Sequence, residues 1–137
     1  MRHGHTTHHA AVDLGASSGR VVLGRVGPDT LELSEAARFD NGVVPLPDGL
    51  HWNLVGLYEQ VLAGIAAAQQ SVTSEVGPGA GLASVGIDSW AVDYGLLQGE
   101  TPRMSLLGTP FHYRDPRTAA GVEATHRRVS FTELYLS

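Results

Sequence analysis

The chain has 137 residues, 42% of them hydrophobic, which is enough for one domain with a core of ordinary density. Its formal net charge is −5, with 9 basic residues spread along the chain, so no basic stripe is available to neutralise a nucleic-acid backbone. The absence of cysteine excludes disulfides, thiolate nucleophiles and cysteine-ligated zinc.

The opening MRHGHTTHHAAV lacks the apolar run of a signal peptide, and no stretch approaches the roughly 20 apolar residues of a membrane span. A soluble, cytoplasmic protein without nucleic-acid or membrane partners is expected. His3, His5, His8 and His9 are spaced closely enough to capture a transition metal. No carboxylate accompanies them and chain termini are usually loose, so residues 1–9 read as a disordered, His-rich terminus.

Ala10 to Leu14 reads as a first strand, Arg20 to Val26 as a second, and Thr30 to Phe39, after the turn signal Gly27-Pro28-Asp29, as a third. A loop containing Pro45, Pro47 and Gly49 follows. Leu54, Leu57, Tyr58, Val61, Leu62 and Ile65 then fall on one helix face, with Asn53 as N-cap. The glycine-rich GPGAG at 77–81 ends that region. LASVGID (82–88) reads as a fourth strand and VDYGLLQ (92–98) as a fifth, giving the order βββαββ.

This order predicts that the helical crossover lays the fourth strand parallel to the first and beside it. Asp13 and Asp88 then meet near the carboxyl ends of their strands, where open α/β sheets hold ligands. A lone aspartate at a strand end ordinarily caps a turn. Two converging beside a Gly/Ser turn point instead to a shared site.

In VDLGASSGRVVLG (12–24), Gly15 and Gly19 permit a tight reversal, Ser17 and Ser18 supply hydroxyl and amide donors, and Arg20 brings fixed positive charge. Such a turn suits terminal phosphates. It is not a Walker A loop, because it lacks Gly-Lys-Ser/Thr and no helix follows it. Asp13 is placed to hold Mg²⁺, an ion that keeps several waters and uses one or two carboxylates.

Together, VDLGASSGRVVLG, GIDSWAVDYGLL and YRDPRT resemble the FGGY-type carbohydrate kinases, and among them the N-terminal part of the bacterial rhamnulokinases. The intervening NGV and HWN are in register, and the resemblance runs from about Ala10 onward. It implies a ribonuclease-H-like, actin-like ATPase lobe over residues 10–137, with a mixed five-stranded sheet followed by helices. It further implies ATP and Mg²⁺ as cofactors and a ketose, L-rhamnulose, phosphorylated at a hydroxyl. Ala16, Ser17, Ser18, Gly19 and Arg20 map to the ATP phosphate turn and Asp13 to its metal side, where the expected strand pairing adds Asp88.

The same resemblance assigns the GIDSWAVD stretch to the sugar. Ala91 stands where the family has a glycine after the tryptophan. Trp90 offers either an apolar face to a sugar ring or a core aromatic, and Asp93 can accept from sugar hydroxyls. Tyr113 and Arg114 belong to the next motif, whereas Asp115 followed by Pro116 is a strong helix start.

SFTE (130–133) is a capping box that opens a helix, and the sequence stops at Ser137. The resemblance places the general base, the adenosine pocket and a second lobe beyond this end. No catalytic residue is then expected in this chain, which alone should have little kinase activity. Two other classes compete. One is a non-catalytic module of the same fold that binds a nucleotide or partner, or self-associates through exposed lobe surface. The other is a metal-dependent nuclease using Asp13 and Asp88, disfavoured by the acidic charge.

Overall fold

The structure is a computed structural model and describes residues 5–136. In chain order it contains strands β1 (Thr7–Leu14), β2 (Ser18–Val26), β3 (Leu31–Asp40), β4 (Val43–Leu46) and β5 (Gly49–Trp52), then helix α1 (Leu54–Val76) and strand β6 (Ser84–Asp88). There follow short strands β7 (Leu97–Gln98) and β8 (Ser105–Leu106), a 3₁₀ turn (Pro116–Thr118), and helices α2 (Ala119–His126) and α3 (Phe131–Leu136). The chain divides into two compact units. One comprises the chain up to Gly42 and Asn53–Val92, the other Val43–Trp52 and the residues from Asp93 onward.

The first unit carries a four-stranded sheet of order β3-β2-β1-β6, in which β1 is antiparallel to β2 and parallel to β6. Alternation in β1 and β2 sends Ala10, Val12, Val21 and Leu23 to one face. The register pairs Ala10 with Leu23 and Val12 with Val21, so these side chains form a continuous buried patch. Helix α1 covers it with Val61, Ala68 and Val72. Each fully buried aliphatic side chain contributes about 1.5–3 kcal/mol.

The helix begins where expected: the Asn53 side chain accepts from the Gly56 N–H at 3.1 Å. Its buried face differs from the expected one. Val61, Gly64, Ala68 and Val72 are buried, Leu57 and Ile65 partly so, while Tyr58 and Leu62 remain exposed. Small residues let the helix backbone approach the sheet closely. A Cβ on Gly64 would lie 2.5 Å from Val21 Cγ2, so a larger residue there would push the helix off β2. At the other end of the sheet, the Arg25 guanidinium pairs with the Glu75 carboxylate, tying β2 to the last turns of α1.

β1 starts at Thr7, so His8 and His9 belong to the sheet and not to a loose terminus extending to residue 9. His9 pairs in register with Ser84, and its Nδ1 lies 2.8 Å from Ser84 Oγ. His3 lies outside the described residues.

The sheet has four strands, which corrects the expected five. Residues 92–98 do not join it. Val92 has φ +75°, a left-handed conformation that a β-branched residue adopts only under strain and that interrupts extended pairing. Of the expected fifth strand only β7 remains, paired with β8 in a separate two-stranded sheet.

In the second unit, the Pro/Gly segment read as a loop forms the β4–β5 hairpin. Phe111 bridges to His51, and the Trp52 and His112 amides bond to the Pro110 and Leu50 carbonyls at 3.0 and 2.8 Å. Asp115 caps the 3₁₀ turn, with Pro116 at its first position, and also accepts from the Leu50 N–H at 2.7 Å. Gly49, at φ +146°, is needed here, because a Cβ would sit 2.5 Å from the Asp115 carboxylate. α3 opens on the expected cap, with Ser130 Oγ accepting from the Glu133 N–H at 3.2 Å.

Candidate functional site

In the first unit, β1 ends in a reversal closed by a hydrogen bond from the Gly15 N–H to the Ser18 carbonyl at 2.9 Å. Asn41, 4% exposed, clamps this turn from the end of β3. Its side-chain amide donates to the Gly15 carbonyl at 2.8 Å and its backbone N–H to the Ser17 carbonyl at 3.0 Å. Gly19 serves packing: the Phe39 ring occupies the space its Cβ would need, at 2.2 Å from that position.

Asp13 and Asp88 are register partners on adjacent parallel strands. Register partners share a sheet face, and Val12 next to Asp13 faces α1, so both carboxylates lie on the face away from the helix. Arg20 is opposite Asp13 on β2, and its Nε and Nη2 donate to Asp13 Oδ2 at 2.8 and 2.7 Å. Arg38 is the next register partner across the sheet. The result is a row Arg38, Arg20, Asp13, Asp88, graded from positive to negative beside the Gly/Ser turn. Asp88 also has an ordinary turn role, accepting from the Ser89 N–H at 3.0 Å.

Two neighbouring carboxylates fit the modest protein contribution Mg²⁺ asks for when phosphate and water complete its shell. Among the described residues no group of three or more His, Asp or Glu is placed to hold a metal by itself.

Asp93, Tyr113 and Arg114 come together in the second unit. Asp93 Oδ2 accepts from Trp52 Nε1 and from the Tyr113 N–H, the latter at 3.3 Å. The Arg114 guanidinium lies 5.2 Å from the Tyr113 ring centroid. His112 stands behind them, fully buried, and burial pushes its pKa below the usual imidazole value, with the Arg114 charge acting the same way and Asp93 opposing. Asp115 is held below the usual carboxylate range by the Leu50 and Arg117 backbone N–H groups and the Arg117 side chain. Trp90 and Ala91 belong to the first unit.

No protein-family model matches the chain. Curated relatives do. The chain is 37% identical over 125 residues to a rhamnulokinase of Bacteroides thetaiotaomicron, an alignment covering 91% of this chain and 24% of that protein. It is 39% identical over 126 residues to a rhamnulokinase of Oceanobacillus iheyensis, covering 92% and 25%. The chain is related in sequence to the rhamnulokinases. A third, from Pectobacterium carotovorum, is 43% identical over 117 residues, covering 84% of this chain and 21% of its own length. The chain thus spans about a quarter of the length of the rhamnulokinases it matches. The resemblance carried by three short motifs extends over nearly the whole chain.

Several residues of this rhamnulokinase-related chain escape a motif reading. Asn41 and Trp52 sit in NGV and HWN, segments in which nothing marks a buried donor. His112 precedes YRDPRT and gives no local signal of burial, since the β4–β5 hairpin to which its backbone bonds reads as a loop.

Proposed function

We propose that this chain corresponds to the N-terminal part of an ATP-dependent sugar kinase with a ribonuclease-H-like fold, acting on a ketose of the L-rhamnulose type. The pairing of Asp13 with Asp88 beside the Gly15–Ser18 turn is the observation that carries this reading. Relatedness to the rhamnulokinases supports the choice of sugar class. The strand order β3-β2-β1-β6, with one parallel partner for β1, supports the fold.

In this reading the Ala16–Arg20 turn holds the terminal phosphates, with serine hydroxyls and amides as donors and Arg20 as fixed charge. Asp13 and Asp88 hold Mg²⁺, which when bound neutralises charge developing on the transferred phosphoryl group. Asp93, Tyr113 and Arg114, brought together within the second unit, orient the sugar. The attacking hydroxyl needs a general base, and the adenosine needs a pocket; both are assigned to the remainder of a full-length cytoplasmic kinase. The open edge of β6, where Val85 and Ile87 are exposed, favours self-association of the chain on its own.

The test is calorimetric titration with Mg·ATP alongside an assay of L-rhamnulose-dependent ADP formation. The expected result is measurable nucleotide binding without turnover. Turnover by the 137-residue chain would overturn the assignment of the base elsewhere, and absence of Mg·ATP binding to a folded chain would overturn the phosphate site. Light scattering reports the association state.

A further inference from the structure

His112 is fully buried in the second unit, and the nucleotide chemistry makes no use of it. Its ring lies 4.0 Å from that of Trp52 and is stacked on that of Tyr113 at 4.5 Å. The Arg114 backbone N–H donates to Nδ1 at 3.0 Å, so Nδ1 is the bare nitrogen and the proton resides on Nε2. Among the described residues Nε2 has no hydrogen-bond partner. The ring therefore supports both residues of the Tyr113-Arg114 pair, one by stacking and one through its main chain.

This arrangement tolerates only the neutral ring. A second proton would have to enter at Nδ1, where it would meet the Arg114 N–H head-on, and the resulting cation would be buried with no acceptor for Nε2. The charged groups facing the ring are the Asp93 carboxylate, which favours the cation, and the Arg114 guanidinium, which opposes it. The Tyr113 phenol is a further titratable neighbour.

We propose that His112 is a pH-gated positioning residue for the sugar subsite: the neutral ring fixes Tyr113 and Arg114, and proton uptake at Nδ1 releases the Arg114 main chain and loosens both. The consequence for ligand rests on the sugar-binding reading above; the coupling between ring and main chain does not.

The experiment is imidazole and amide NMR of the whole chain as a function of pH, with L-rhamnulose as the probe ligand. The expected spectrum shows the Nε2–H tautomer, protonation of His112 below the ordinary midpoint of about 6.5, and the Arg114 and Tyr113 amide resonances moving with that same midpoint. L-rhamnulose binding weakens by about tenfold or more as His112 protonates, a difference readily resolved by titration. His112→Asn keeps an acceptor near the Nδ1 position and cannot titrate, so its binding is flat across that range. An Nδ1–H tautomer, an Arg114 amide that ignores the His112 midpoint, or an unchanged pH profile in a folded H112N overturns the proposal. If H112N does not fold, the wild-type tautomer and amide titration decide. Absence of L-rhamnulose binding at pH 8 with the amide coupling intact removes the sugar reading and upholds the coupling.

Discussion

The side chain of Asn41 donates to the carbonyl of Gly15 at 2.8 Å, so a residue at the end of the third strand fixes the turn between the first two. Removing that amide leaves the Gly15 carbonyl without this partner, in the turn proposed to hold phosphate. Asn41→Ala is expected to lower stability by about 1–3 kcal/mol and to weaken Mg·ATP binding in the same variant. Urea unfolding and calorimetry check the two effects separately.

Gly64 and Gly121 make opposite predictions for one substitution. A Cβ at Gly64 meets Val21 at 2.5 Å, whereas at Gly121 in α2 nothing lies within 4 Å. Gly64→Ala should destabilise by about 1–3 kcal/mol through overpacking, outweighing the better helix propensity. Gly121→Ala should stabilise by up to about 1 kcal/mol. Thermal melts of the two variants give opposite signs.

Asp115 accepts from the Leu50 and Arg117 N–H groups, and its pKa is lowered for that reason. A folded-state pKa below the unfolded one means that the stabilisation is present above the unfolded value, about 3.9, and is lost as pH falls through the folded value. Acid titration of stability should therefore show a loss in that range. Asp115→Asn should melt lower at neutral pH and lack that part of the acid dependence.

Arg20 and Asp13 are ion-paired through two contacts, which sets Arg20 in competition with any cation at Asp13. Arg20→Ala should strengthen binding of Mg²⁺ alone and weaken binding of Mg·ATP by about tenfold, the loss expected for one charge-assisted contact to phosphate. Equal weakening of both would show that Arg20 is only structural.

The sheet was largely legible because short apolar runs bounded by turn residues mark β1, β2 and β6 and because Asn53 is a strong cap. The parallel placement of Asp88 beside Asp13 followed from the direction of a helical crossover alone. The buried face of α1 was not legible. Large apolar residues such as Tyr58 and Leu62 suggested one stripe, but the sheet accepted the smaller Gly64 and Ala68, which allow closer approach. Nor was the end of the sheet, since nothing in VDYGLLQ marks Val92 as left-handed. Asn41, Trp52 and His112 act through partners distant in sequence, at separations only the folded chain reveals.

The proposed nucleotide site is tested most directly by adding Mn²⁺·ATP to the isotopically labelled chain and mapping paramagnetic broadening of the amide resonances. Broadening centred on residues 13, 16–20 and 88, and abolished in a folded D13N/D88N variant, is the predicted result. Broadening centred elsewhere, or unaffected by that double substitution, would contradict it.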